Sequence, residues 1–126
     1  MTKVSFMSNY RQTIGQFGEN MAVDFLKRHG YTILARNLKI SYKEVDIIAQ
    51  FGRFLVFLEV KTKFCQGEGL AEEAFDERKF KNLQWALEEY LEKCHWDENY
   101  VRIDLIAINF DKNKKTAKIR HYTDVY

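Results

Sequence analysis

The sequence predicts an α/β fold whose elements follow in the order helix, three strands, helix, two strands. Two long stretches repeat apolar residues at steps of three and four, as the buried face of a helix does. Five shorter stretches alternate in polarity or are rich in β-branched and aromatic residues, as strands are. With 126 residues, 46% of them hydrophobic and 30% charged, the chain is expected to form one globular domain over residues 1–126.

Turn and capping signals set the expected bounds of each element. We predict helices over residues 13–30 and from residue 72 or 76 to residue 94, and strands over residues 31–38, 44–50, 54–63, 100–110 and 117–122. Thr13 and Gln16 fit a capping box at the start of the first helix, and Gly30 is a common helix stop. Residues 1–12 are therefore expected to form a loose polar leader.

Composition and cysteine usage indicate the cellular compartment but give little evidence about partners. No apolar run approaches the length of a membrane span, and residues 1–12 lack the continuous apolar segment of a signal peptide. Cys65 and Cys94 have no metal-ligand spacing, so we expect free thiols in a reducing cytoplasm and no zinc. A net charge of +2 is weak evidence about partners, because nucleic-acid binders usually carry a larger basic excess.

The stretch over residues 43–63 is predicted to form an antiparallel hairpin with a short turn at residues 51–53. Side chains alternate across a strand. In the first strand, one face should carry Glu44, Asp46 and Ile48, and the other face Val45, Ile47 and Ala49. In the second strand, one face should carry Leu55, Phe57, Glu59 and Lys61, and the other face Phe54, Val56, Leu58 and Val60. Both faces are mostly apolar, which predicts a sheet covered on two sides, with Asp46, Glu59 and Lys61 as the charged exceptions.

These three charged residues point to metal-assisted phosphodiester hydrolysis. Glu59 and Lys61 are two apart on one strand, roughly 6 to 7 Å, and Asp46 can join them across about 5 Å. Two carboxylates suit Mg²⁺ or Mn²⁺, and a lysine can orient or deprotonate water and offset phosphate charge. The alternative is a solvated hairpin face whose ion pairs contribute ~0 to 1 kcal/mol, because an E-x-K tripeptide also occurs by chance.

Other charged residues are candidates for a supporting role or for contact with phosphate. Glu19 lies at the margin of the apolar stripe of the first helix, facing either the charged end of the hairpin or solvent. Arg36, Lys43, Lys63 and Lys79 could contact the phosphates of a nucleic acid, or could equally be ordinary surface cations.

Two further features have one functional and one structural interpretation each. The loop at residues 65–69, CQGEG, is either a mobile lid near Lys61 or a simple connection to the second helix. Arg102 and Asp104 lie two apart on one strand face, and their simplest role is an ion pair.

Motifs over nearly the whole chain, residues 15–122, carry a resemblance to a known family. They are G-x-x-G-E at residues 15–19, G-Y-x-I-L-x-R-N at 30–37, E-V-D-I-I-A at 44–49, F-L-E-V-K-T-K at 57–63, Lys79, and R-x-D at 102–104. With these motifs the chain resembles the YraN family of largely uncharacterised bacterial proteins. That family is assigned the restriction-endonuclease-like fold and the PD-(D/E)XK motif, and is similar in core to archaeal Holliday-junction resolvases. The resemblance implies a central mixed five-stranded sheet with helices on opposite sides.

The resemblance also implies roles for individual residues. Asp46 matches the aspartate of the motif, Glu59 its second acidic ligand and Lys61 its lysine, with Glu19 an auxiliary acidic group. Mg²⁺ or Mn²⁺ held by Asp46 and Glu59 is the implied cofactor and DNA the implied partner. A homodimer is compatible with this, because junction-cleaving relatives pair their active sites. The chain departs from the family at Lys43, where glycine is usual, at Lys63, where arginine is common, and at Val45, where the superfamily has proline.

Three functions therefore remain open from the sequence. The first is a metal-dependent nuclease acting on DNA. The second is a non-catalytic nucleic-acid-binding module on the same scaffold, which the modest net charge favours. The third is a structural domain in which Asp46, Glu59 and Lys61 form a buried ion-pair network, which would be destabilised by roughly 3 to 5 kcal/mol if one partner were removed.

Overall fold

The computed structural model describes residues 3–65, 69–111 and 113–125, with the side chains of residues 3–12 and 65 left out. Its helices and strands are α1 Lys3–Arg28, β1 Thr32–Ile40, β2 Lys43–Phe51, β3 Phe54–Cys65, α2 Glu77–Lys93, β4 Val101–Asp111 and β5 Thr116–Tyr122. Short 3-10 turns at Ala71–Ala74 and Glu98–Tyr100 flank α2. The predicted order is confirmed, and every strand bound lies within two residues of its expected position.

The first helix is longer than predicted. Because α1 begins at Lys3, the expected loose leader is wrong for residues 3–12. That stretch contains neither glycine nor proline, so nothing in it ends a helix. Thr13 lies inside α1 and is not its cap.

Gly18 marks a close approach between α1 and the sheet. A Cβ atom at this position would lie 2.1 Å from Thr62 Oγ1 of β3, well inside van der Waals contact. Glycine in a helix interior costs about 1 kcal/mol relative to alanine. Here it lets the backbone of α1 approach β3, which places the next residue, Glu19, close to the sheet.

The five strands form one mixed sheet in the order β1-β2-β3-β4-β5. β3 and β4 are parallel and all other neighbours are antiparallel. A parallel pair needs a long crossover, and α2 supplies it between β3 and β4. No helix in the described part of the chain is both long and apolar enough to cross a membrane.

A separate apolar core covers each face of the sheet. The core beneath α1 includes Ala22, Leu26, Ile47, Leu58, Ile106 and Ile108. The core beneath α2 includes Val45, Ile48, Phe57, Leu83, Leu87 and Ile103. The two helices therefore pack on opposite faces, which confirms the prediction of a sheet covered on both sides.

The alternation of side chains breaks at Asp46. Val45 packs with Ile48 in the core beneath α2, so the prediction that Val45 shares a face with Ile47 is wrong. The β1–β2 register places Asn37 opposite Asp46, and Asn37 has φ +49°, a left-handed conformation that a regular strand does not contain. β2 pairs with β3 only from Ile47 onward. The two strands therefore separate at Asp46.

Candidate functional site

Asp46 lies where β2 and β3 separate. At this point the backbone of β2 no longer pairs with β3, and the side chain of Asp46 accepts a hydrogen bond from β3 instead. Its Oδ2 accepts a hydrogen bond of 2.8 Å from the backbone N–H of Val60. Burial, and next the charge of Glu59, raise the pKa of Asp46 to about 7, while the Val60 amide and Lys61 act against that rise. Burial is therefore the main cause of the raised pKa of Asp46, and the charge of Glu59 adds to it.

Glu59 and Lys61 face the α2 side of the sheet beside Asp46. Lys61 Nζ lies 3.2 Å from Glu59 Oε1, and the two side chains are 17% and 14% exposed. The alternative of a solvated hairpin face is therefore wrong. Burial lowers the pKa of Lys61, but the neighbouring side chain of Lys79 and the charge of Glu59 outweigh that and raise it above its usual value. Lys61 is an ammonium group at neutral pH.

Helix α2 supplies Lys79 from its first turn. The carboxylate of Asp76 caps this helix by accepting a bond of 3.0 Å from the backbone N–H of Lys79. The side chain of Lys79 is half-buried, and the neighbouring amine of Lys61, followed by burial, lowers its pKa. Lys79 therefore faces the sheet, which is one of the two orientations that the sequence left open.

Helix α1 supplies Glu19, which is almost fully buried and faces the sheet and not solvent. Its Oε1 accepts bonds of 3.0 Å from Arg36 Nε and 3.0 Å from Asn37 Nδ2. Arg36 also donates to Asn20 Oδ1 at 2.6 Å, so its guanidinium group hydrogen-bonds to two side chains of α1. The charge of Glu19 adds to the rise in the pKa of Asp46. A phosphate contact by Arg36 stays a prediction.

The other two predicted cations lie on either side of the strand gap. Lys43 Nζ donates to Asn82 Oδ1 of α2 at 2.7 Å. Lys63 lines the larger of two cavities at the gap, and its Nζ is 3.1 Å from the position that a Cβ of Gly69 would take. Phosphate contacts by these lysines also stay predictions.

Two cavities meet at the diverging strands. One, of about 590 Å³, is lined by Ile14, Gly15, Glu19, Asn37, Glu44, Asp46, Val60, Lys61, Thr62, Lys63 and Phe64. The other, of about 270 Å³, is lined by Tyr42, Lys43, Glu44, Glu59, Lys79, Asn82 and Leu83. Glu44 is exposed and lines both cavities, a position that the sequence interpretation missed. Its place two residues before Asp46 was the available signal.

The turn Ala71–Ala74 is fixed to the far strands through Glu72. Residues 66–68 of the predicted lid lie outside the described residues, so the lid stays a prediction. Glu72, in the turn Ala71–Ala74, accepts bonds from Asn109 Nδ2 at 2.9 Å, Arg120 Nη1 at 3.2 Å and Tyr122 Oη at 2.5 Å. Burial raises the pKa of Glu72, but these bonds, that of Tyr122 first, lower it to about 2.

Arg102 and Asp104 form the predicted ion pair, and it belongs to a larger buried cluster. Arg102 Nη2 lies 2.7 Å from Asp104 Oδ2, and the side chain of Asp104 is fully buried. Asp104 also accepts from His121 Nε2 at 2.7 Å and from the backbone N–H of Asp124 at 2.9 Å. The sequence did not predict the last two partners. Cys94 is a free thiol, as expected, while the side chain of Cys65 lies outside the described residues.

The donor set suits a hard divalent cation. In the described residues, no three His, Cys, Asp or Glu side chains lie close enough together to hold a metal by themselves. Asp46 and Glu59 nevertheless offer carboxylate oxygens in a place where burial, and next their mutual repulsion, raise the pKa of Asp46. Mg²⁺ is usually held by one or two carboxylates and completes its shell with water. The pair fits that pattern.

Fold and site together define an α/β protein with two carboxylates and a lysine at the point where two central strands separate. The model of the uncharacterised protein family UPF0102 matches residues 18–108, and the chain belongs to this family. This confirms the resemblance to the YraN-like proteins.

Relatives with the same family name match almost end to end. A UPF0102 protein of Dehalococcoides mccartyi is 36% identical over 106 residues, which are 84% of this chain and 88% of that protein. One of Caldicellulosiruptor bescii is 35% identical over 114 residues, 90% of this chain and 96% of that one. Among solved structures, Pyrococcus furiosus SfsA in complex with Ca²⁺ covers 89% of this chain and 63% of its own, with 12% identity and a TM-score of 0.38. At that TM-score the likeness carries no argument.

Proposed function

We propose that this protein is a nuclease that uses a divalent metal ion to hydrolyse phosphodiester bonds in DNA. The observation that carries the proposal is the meeting of Asp46, Glu59 and Lys61 at one part-buried position, with the pKa of Asp46 raised to about 7. Perturbed carboxylates in a cleft are typical of functional sites. The resemblance to the PD-(D/E)XK motif assigns the same three residues.

The side chains have distinct roles in this proposal. Asp46 and Glu59 would hold Mg²⁺ or Mn²⁺, which when bound supplies Lewis-acid polarisation of the phosphate. Lys61 is an ammonium beside Glu59, so it donates hydrogen bonds to the attacking water or the phosphate and offsets the charge that develops. Glu19, held by Arg36 and Asn37, adds negative charge on the α1 side.

The second candidate is a nucleic-acid-binding module with weak or absent catalysis. It is favoured by the lack, in the described residues, of three acidic or histidine side chains close enough to hold a metal on their own. In this case the lysines around the two cavities contact the backbone of DNA, and Asp46 and Glu59 take no part in chemistry.

Metal titration with parallel cleavage assays distinguishes the two candidates. Mg²⁺ and Mn²⁺ are titrated by calorimetry into the wild type and Asp46→Asn, with Asp24→Asn on the exposed surface of α1 as the matched carboxylate control. Single-stranded, duplex and four-way DNA are tested for binding and cutting. The nuclease proposal expects metal binding and cutting in the wild type and in Asp24→Asn, and neither in Asp46→Asn. DNA binding without metal and without cutting supports the binding module.

A further inference from the structure

We propose that the tip of the β1–β2 hairpin is a stacking site for an unpaired nucleobase, with the ring of Tyr42 as its platform. This inference rests on the proposed function and specifies its substrate class. The favoured DNA is one with a single-stranded or locally unpaired nucleotide next to the phosphodiester at Glu59.

Tyr42 is more exposed than any other large apolar or aromatic side chain in the described part of the protein. Its exposed fraction is 84%, against 54% for Phe17, the next in order. A two-residue turn presents the ring, since Ile40 pairs directly with Lys43. Ser41 takes φ +60° in this turn, a conformation that short hairpins usually give to Gly, Asn or Asp. The turn thus fixes an aromatic ring in solvent at the edge of the site.

Neighbouring side chains hold the platform in place. The ring of Tyr42 lies against that of Trp85 from α2, with centroids 6.2 Å apart and planes inclined by 19°. Lys43 Nζ lies 5.7 Å from the Tyr42 ring and 5.6 Å from the Trp85 ring, and its bond to Asn82 holds it there. A ligand that stacks on Tyr42 therefore orders few side chains on binding, which lowers the entropic cost.

A single cavity joins the platform to Glu59, one of the candidate catalytic residues. The cavity of about 270 Å³ is lined by Tyr42 and Lys43 and also by Glu59 and Lys79. A nucleotide has a flat base and an anionic phosphate, and proteins bind single strands by stacking bases on aromatic rings beside a cationic groove. Tyr42 offers the ring, and Lys43 and Lys79 offer the cations. A base inside a duplex is already stacked on both faces, so the ring selects an unpaired one.

A second exposed aromatic group serves as the matched comparison. Phe17 projects from α1 on the other face of the sheet, where its ring lies 5.7 Å from that of Phe110. Phe17→Ala therefore removes an exposed ring of similar size without touching the proposed platform.

The test measures binding of single-stranded and duplex DNA of one sequence by fluorescence anisotropy, in EDTA so that no cutting occurs. The proteins are the wild type, Tyr42→Ala, Tyr42→Phe and Phe17→Ala. Stacking on an aromatic ring contributes about 5- to 150-fold in affinity per base. Tyr42→Ala is expected to lose that factor for single strands only, while Tyr42→Phe and Phe17→Ala stay within about twofold of the wild type. A 2-aminopurine strand should change its emission with the wild type and Tyr42→Phe and not with Tyr42→Ala.

Each other outcome overturns the inference in a recognisable way. Tyr42→Ala could lose equal affinity for single strands and duplex, or lose no affinity while the wild type binds DNA. Either result excludes Tyr42 as a stacking platform and does not affect the proposed function. A loss with Phe17→Ala in place of Tyr42→Ala moves the stacking to the α1 face. A wild type that binds neither DNA overturns the inference and leaves the proposed function to the metal titration. Thermal melting of Tyr42→Ala at the wild-type temperature verifies that the exposed residue is not needed for folding.

Discussion

Asp46 and Asp104 are two buried aspartates in one sheet whose pKa values move in opposite directions. The pKa of Asp46 rises to about 7, whereas that of Asp104 falls below its usual value. Burial pushes both upward, so the difference comes from their partners. Asp104 accepts hydrogen bonds from His121, Arg102 and the Asp124 amide, which outweigh burial.

The partners of Asp46 have the opposite balance. Its carboxylate accepts one backbone bond, from Val60, and burial together with the like charge of Glu59 outweighs that bond. A carboxylate that only stabilises a fold is expected to have its charge satisfied within the protein, as Asp104 does. A buried carboxylate whose ionised form is poorly satisfied within the protein fits a role in binding a cation from outside. This comparison argues against the purely structural network among Asp46, Glu59 and Lys61.

The largest expected effect is the loss of stability in Asp104→Asn. Removing one partner of a buried charge pair costs about 3 to 5 kcal/mol, because Arg102 would stay buried without its counter-charge. Urea denaturation of the metal-free protein measures the change in the free energy of unfolding. A loss under about 1 kcal/mol would contradict the structural role assigned to Asp104.

Lys61→Ala is expected to leave the fold intact and to lower the cleavage rate by about 100-fold or more, the usual effect of removing a donor that stabilises charge in the transition state. Single-turnover cleavage with saturating Mg²⁺ measures the rate. Lys81→Ala is the control, because Lys81 lies in an exposed i,i+4 pair with Glu77 on the surface of α2. Cleavage that survives Lys61→Ala would exclude the proposed role of the lysine.

The smallest effect is a pH-dependent gain of stability in Asp46→Asn. Because the folded pKa of Asp46 is raised from 3.8 to about 7, the folded wild type binds more protons than the unfolded chain between these values. Its stability therefore falls as pH rises from about 4 to about 7. Asp46→Asn lacks this loss, so its free energy of unfolding should exceed that of the wild type by about 1 kcal/mol or more at pH 8 and match it near pH 4. Thermal melts of both metal-free proteins across this pH range measure the difference. A variant less stable than the wild type at pH 8 would support the hypothesis that Asp46, Glu59 and Lys61 form a purely structural ion-pair network.

Local patterns were sufficient to predict most of the fold. The five strands lie within two residues of their predicted bounds, because their apolar alternation and the turns between them are local signals. The start of α1 was missed because the capping signal at Thr13 is ambiguous when the preceding residues can also be helical.

The site itself was only partly predictable. The spacing of Glu59 and Lys61 on one strand and the predicted hairpin were sufficient to expect both residues near Asp46, as the structure has them. The break in alternation at Asp46 was not predictable from a strict period of two, although an Asn opposite it was a signal for left-handed backbone. The partners of Glu72 lie 37 to 50 residues away on β4 and β5, and no local pattern reports such contacts.

The close approach at Gly18 links the position of α1 to the charge of the site. Thr62 leaves no room for a Cβ at Gly18, and Glu19 is the next residue along the helix. The depth to which α1 settles on β3 therefore sets how near the Glu19 carboxylate comes to Asp46, and with it part of the electrostatic field there. A bulkier residue at position 18 would move α1 away from β3. The charge of Glu19 would then act less strongly on Asp46, although none of the groups that the proposed chemistry uses would have changed.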